Sequence, residues 1–101
     1  MIGLVDGWAS LPRVTLREET TSASGAPRTE LLEAIPLLSA LANPVTARVI
    51  VHAGDGMMLA LSAEDAARAM LAEGTGGWQL ILSGDRTRRR RIKNPIKFEV
   101  E

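Results

Sequence analysis

The chain contains no cysteine and no tyrosine, one phenylalanine, two tryptophans and one histidine. Each shortage removes a class of chemistry. Without cysteine there is no disulfide, no thiolate nucleophile and no thiolate-held metal, and composition carries no mark of the redox compartment. With so few aromatic rings there is no stacking platform of the kind on which single-strand binders lay nucleic-acid bases. The one histidine, His52, stands in an apolar stretch and reads as a packed or hydrogen-bonded residue. A general base needs a positioned proton partner and a metal needs several ligands, and no spacing of Asp, Glu or His supplies either. No catalytic constellation and no metal site is therefore visible. No apolar run approaches the roughly eighteen residues of a membrane span. The N-terminus shows no basic segment followed by a long apolar one, so no signal peptide is visible. Cytoplasm and periplasm stay open.

What is present is charge, unevenly placed. The stretch Gly84–Lys97 (GDRTRRRRIKNPIK) holds seven of the twelve basic residues, in a chain whose formal net charge is zero. From Arg86 to Glu101, seven bases meet only Glu99 and Glu101, a local charge of +5; the other residues carry five bases and ten acids, a charge of −5. A run so polarised seeks an anion, inside or outside the protein. Nucleic acid is disfavoured, because the acidic remainder repels a long polyanion. The plain alternative to any ligand is a solvated edge strand whose arginines deter aggregation.

At 101 residues, 46% of them hydrophobic, the chain is long enough for one folded domain spanning 1–101. Val14, Leu16 and Glu18 alternate with Arg13, Thr15 and Arg17, a strand pattern, and Glu19–Pro27 (ETTSASGAP) reads as a mobile surface loop. Thr29 is placed to cap a helix through Leu31, Leu32 and Ile35 that Pro36 ends, followed by a short piece through Leu37, Leu38 and Leu41. Val45–Ala53 reads as a strand, Gly54-Asp55-Gly56 as a tight reversal and Met57–Leu61 as the returning strand. Ser62, with Asp65 three residues on, opens a helix expected to run to about Glu73, burying Ala66, Ala67, Met70 and Leu71, with Gly74 at its end. Trp78–Ser83 is a buried strand, and Ile96, Phe98 and Val100 mark a final one. Mixed elements without regular βαβ spacing predict an α+β fold with a largely antiparallel sheet and two or three short helices. Met57-Met58 reads first as a partly exposed hairpin end, and its spare apolar surface also offers a homodimer contact.

Several segments, in order, resemble the molybdopterin-binding oxidoreductase domain, the sulfite oxidase-like fold. They are Leu4-Val5-Asp6 through Leu11-Pro12-Arg13-Val14-Thr15-Leu16; Gly25-Ala26-Pro27 and Glu30-Leu31-Leu32; Val49-Ile50-Val51 through Gly54-Asp55-Gly56 to Ala60-Leu61-Ser62; Leu80, Leu82, Gly84 and Asp85; and Ile96 to Val100. The resemblance implies a specific role for the basic run. In the enzymes a G-x-R-S-x-K pattern contacts the phosphate and pterin of the cofactor, and Gly84, Arg86, Thr87 and Arg89 stand at the matching positions. A guanidinium fork suits phosphate, and a Thr hydroxyl adds a donor. The cofactor-binding residues so implied are Arg86, Thr87 and Arg89, and molybdopterin enters by resemblance alone. Two departures stand against redox activity. The enzymes hold molybdenum through a Cys thiolate, absent here, and the upstream half of the enzyme domain has no counterpart in these residues. The expectation is a small domain that binds an anionic small molecule or a pterin phosphate without the family's chemistry. The competing class is an interaction module docking an acidic protein or nucleic acid through its Arg-rich strand. If the chain is an enzyme, it is a molybdopterin-dependent oxidoreductase relative or subunit.

Overall fold

Alternation of side chains builds most of this molecule. The computed structural model describes residues 1–21, 24–74, 76–82 and 91–101. A 3₁₀ turn, Trp8–Ser10, leads into β1 (Val14–Thr21), which pairs with β2 (Pro27–Pro36) from Val14↔Ala34 to Thr21↔Pro27. The expected loop is thus shorter than Glu19–Pro27, because β1 continues to Thr21. The helix expected after Thr29 is corrected to a strand. Leu31, Leu32 and Ile35 have helical spacing, yet Leu32 and Ala34 face one side of the sheet while Ile35 and Leu71 meet on the other. Cross-strand pairing with β1 overrides the local pattern. Pro36 ends β2 rather than breaking a helix, and α1 (Leu37–Ala40) follows as a single turn with Leu37 and Ala40 buried.

β3 (Arg48–Ala53) and β4 (Met58–Ser62) form the expected hairpin. Gly56 takes a positive φ of 91°, Gly56 N–H donates to the Ala53 carbonyl at 3.1 Å, and Asp55 Oδ1 accepts from Met57 N–H at 3.0 Å. The reversal is therefore held by its own backbone and one Asx contact. Ser62 caps α2 (Ala63–Arg68) as expected, its Oγ accepting from Asp65 N–H at 3.1 Å.

The end of that helix is a second correction. α2 stops at Arg68, Ala69 is already extended at ψ 141°, and Ala69–Gly74 is a strand, β5. Ala67 is exposed, and Met70 and Leu71 point to opposite faces. β5 lies between β2 and β6 (Gly77–Leu82), and ladder bonds on both edges outweigh the helix preference of an Ala-rich sequence. A two-residue strand, β7 (Ile92–Lys93), and β8 (Pro95–Val100) complete the chain. Ile96 does not share the inner face with Phe98 and Val100. The register slips between His52 and Ala53, opposing them to Lys97 and Pro95, so Ile96 falls in a bulge and is 45% exposed.

The strands form two sheets, β1-β2-β5-β6-β7 and β4-β3-β8, in which all the named pairs are antiparallel. The main core lies where Ile35, Leu71, Leu80 and Leu82 of the first sheet meet Val49, Val51, Leu61 and Phe98 of the second, with Leu37 and Ala66 from the helices. A smaller apolar cluster, Leu16, Ala34, Ala72 and Ile81, lies on the other face of the larger sheet. The result is a small α+β domain with antiparallel sheets and few short helices. Trp8 and Trp78 meet edge to face at 4.7 Å between centroids, and Arg13 lies over Trp78 at 5.1 Å.

Candidate functional site

Residues 84–91 of the basic run stand in sequence between β6 and β7, which are antiparallel neighbours, and the rest of the run continues through β7 into β8. Gly84, Asp85, Arg86, Thr87 and Arg88 to Arg90 lie outside the described residues. So do the three positions singled out for phosphate, Arg86, Thr87 and Arg89. What the structure describes is how the run is anchored. Leu82, buried, pairs with Ala69 at one foot; Ile92, also buried, pairs with Leu80 at the other. Apolar anchors on both sides hold the two ends of the connection at the β7 edge of the larger sheet.

Beyond β7 the chain crosses to the second sheet at Asn94, whose φ of 53° is the left-handed value that Asn tolerates better than most residues. Asn94 N–H donates to the Trp78 carbonyl at 3.1 Å, and the Asn94 carbonyl accepts from Gly54 N–H at 3.0 Å. Gly54 also packs closely on the Asn94 side chain, whose amide would have to shift to admit a Cβ. The hairpin turn and the foot of the basic run are therefore locked together.

Several described basic residues are paired with acids of the fold. Arg13 Nη1 reaches Glu73 Oε1 at 3.2 Å, Arg68 Nη2 reaches Asp65 Oδ1 at 2.6 Å, and Arg48 Nε bonds Glu101 Oε2. Lys97 Nζ lies 3.2 Å from Glu99 Oε1. Arg91 and Lys93, at the foot of the run, have no acidic partner among the described residues, and Lys93 is exposed beside Gln79.

A second constellation was not singled out from the sequence. His52 and Lys97 are register partners, and Glu99 follows Lys97 on the same face of β8. Glu99 Oε1 lies 3.0 Å from His52 Nε2, but the approach is not aligned for a hydrogen bond, and that buried nitrogen has no hydrogen-bond partner. The Lys97 hydrogen bond and charge hold the Glu99 carboxyl below its ordinary value of 4.5, with His52 a smaller influence. The residues nearest them on this face are Ile50, Met58 and Ala60, which are apolar. Strand alternation was the one signal that could have found the group. Among the described residues no set of three His, Cys, Asp or Glu could hold a metal, and no helix is long and apolar enough to cross a membrane. No family model, curated protein or solved structure matches this chain.

Proposed function

We propose that this chain is a small binding domain of the sulfite oxidase-like, molybdopterin-binding kind, which takes an anionic, phosphate-bearing small molecule at Arg86, Thr87 and Arg89. The observation that carries the reading is the contrast in charge pairing. Arg13, Arg48 and Arg68 are matched by acids of the fold, whereas Arg91 and Lys93 at the foot of the run have no acidic partner among the described residues. Five arginines between Arg86 and Arg91 concentrate, in sequence, the guanidinium groups whose chemistry recognises phosphate. The metal half of the family's cofactor does not fit. Its thiolate ligand has no counterpart in a chain without cysteine, so no redox step is assigned.

The test is calorimetric titration with inorganic pyrophosphate at low salt. Binding should be lost in the Arg86→Gln/Arg89→Gln variant and retained in Arg28→Gln, which removes an exposed charge on β2. Equal weakening by both variants, or no binding to the unaltered chain, would refute the site. Binding to duplex or single-stranded DNA that falls steeply with salt, without pyrophosphate binding, would move the function to an acidic macromolecular partner.

A further inference from the structure

We propose that β4 pairs with β4 of a second copy of this chain, joining two three-stranded sheets into one continuous antiparallel sheet. The inference starts from how the described sheet edges are guarded. Natural sheets block edge-to-edge association with charge, brevity or cover. The β1 edge carries Arg17, Glu18 and Glu19 in its sequence. The β7 edge is two residues long and holds Lys93 next to Arg91. The β8 edge is covered over Ile96–Phe98, where Ile2 N–H donates to the Ile96 carbonyl at 3.0 Å and Ile2 accepts from Phe98 N–H at 2.9 Å. β4, Met-Leu-Ala-Leu-Ser, has no charge, no proline, no bulge and no strand beyond it.

The backbone of β4 is also in the right phase. Ala53 N–H donates to the Met57 carbonyl at 2.9 Å. Antiparallel alternation then makes Val51/Leu59 and Val49/Leu61 the bonded pairs and Ile50/Ala60 and His52/Met58 the non-bonded ones. The N–H and C=O groups of Met58 and Ala60, and the N–H of Ser62, consequently point to the open edge. A two-fold axis normal to the sheet at Ala60 sets Ala60 against Ala60 of the second copy, Leu59 against Leu61, and Met58 against Ser62. In this register Ala60 exchanges both backbone bonds with its copy, and each Ser62 N–H meets a Met58 carbonyl. Inward residues meet inward residues, as the alternation requires.

Charge agrees with this register. No charged side chain lies within β4, so none opposes its like across the joint. The nearest like charges in one row are His52, when protonated, and Arg48 of the second copy, separated by three strand spacings, roughly 14 Å. That exceeds the Debye length of about 8 Å at physiological salt. Met57 and Met58, 55% and 65% exposed, flank the joint and add apolar cover. A single five-residue edge buries less than the roughly 1,200 Å² of a stable complex, so the dimer is weak and concentration-dependent.

The experiment is sedimentation velocity from micromolar to millimolar protein, paired with amide hydrogen exchange. The unaltered chain should dimerise with rising concentration, and the Ala60 amide, free in the monomer, should become protected in step. Ala60→Lys places like charges at the axis and should weaken dimerisation by at least about tenfold. Thr15→Lys, on the β1 edge, should leave it unchanged. Far-UV circular dichroism confirms folding of the variants, and the exchange experiment needs no variant. A monomer at millimolar concentration, a dimer indifferent to Ala60→Lys, one dissolved by Thr15→Lys, or one whose Ala60 amide stays unprotected would each overturn the proposal.

Discussion

Gly3 holds the first residues of the chain against β8, and its replacement by alanine provides a quantitative test of how the fold is closed. Gly3 has φ 93°, a region L-residues rarely adopt, and an added Cβ would fall far inside contact distance of the Phe98 carbonyl oxygen, 3.1 Å from its carbon and 3.2 Å from Phe98 Cβ. The obstacle is backbone in the middle of a ladder, which no rotamer change relieves. The protein can escape the clash by releasing residues 1–4, so the cost is the smaller of the strain and the docking free energy. Docking consists of the two Ile2 bonds to β8, the Ala42 N–H bond to the Gly3 carbonyl at 3.0 Å, and the partial burial of Leu4. At about 1 kcal/mol net per hydrogen bond, with some apolar burial and some regained chain entropy, Gly3→Ala should destabilise by roughly 2–3 kcal/mol. Urea unfolding should show a lower midpoint, and the Phe98 amide should lose its exchange protection. An unchanged midpoint with a protected Phe98 amide would refute this reading of the N-terminal segment. Release would also bare the β8 edge, so Gly3→Ala should self-associate more than the unaltered chain.

Three further outcomes are expected. Ser62→Ala removes the α2 cap that accepts from Asp65 N–H and should cost about 1 kcal/mol, read from the same urea midpoint. Leu71→Ala, at a fully buried position in the main core, should cost roughly 2–5 kcal/mol and lower the melting temperature sharply in so small a domain. Because the Glu99 carboxyl is held below its ordinary 4.5, its contribution to stability is present above that value and is lost as pH falls through the lower folded value. Carboxyl NMR titration of Lys97→Met should show Glu99 moving back up, since Lys97 is the largest cause of the shift.

The sequence was most legible where a local device determines the structure. Gly54-Asp55-Gly56 with Val49 and Leu61 around it marked the hairpin, and Ser62 with Asp65 marked the start of α2, because turn and cap chemistry act within a few residues. It misled where pairing partners lie far along the chain. Ala69–Gly74 carries helix-forming residues and a terminal glycine, yet it sits between β2 and β6, and only those neighbours make it a strand. Leu31, Leu32 and Ile35 failed for the same reason: Leu32 and Ile35 are covered on opposite faces of a sheet and Leu31 is exposed, so their helical spacing arose by chance. At the candidate site the excess of positive charge was readable from composition. The pairing of Arg13 with Glu73, sixty residues apart, was not, and that pairing is what leaves the foot of the run distinct.

The most direct measurement is a two-dimensional amide NMR titration of the chain with inorganic pyrophosphate. Saturable shifts should concentrate on Gly84–Lys93 and vanish in Arg86→Gln/Arg89→Gln. Shifts spread evenly over Arg13, Arg17, Arg28 and Arg48, or no shifts at low salt, would contradict a phosphate site in the basic run.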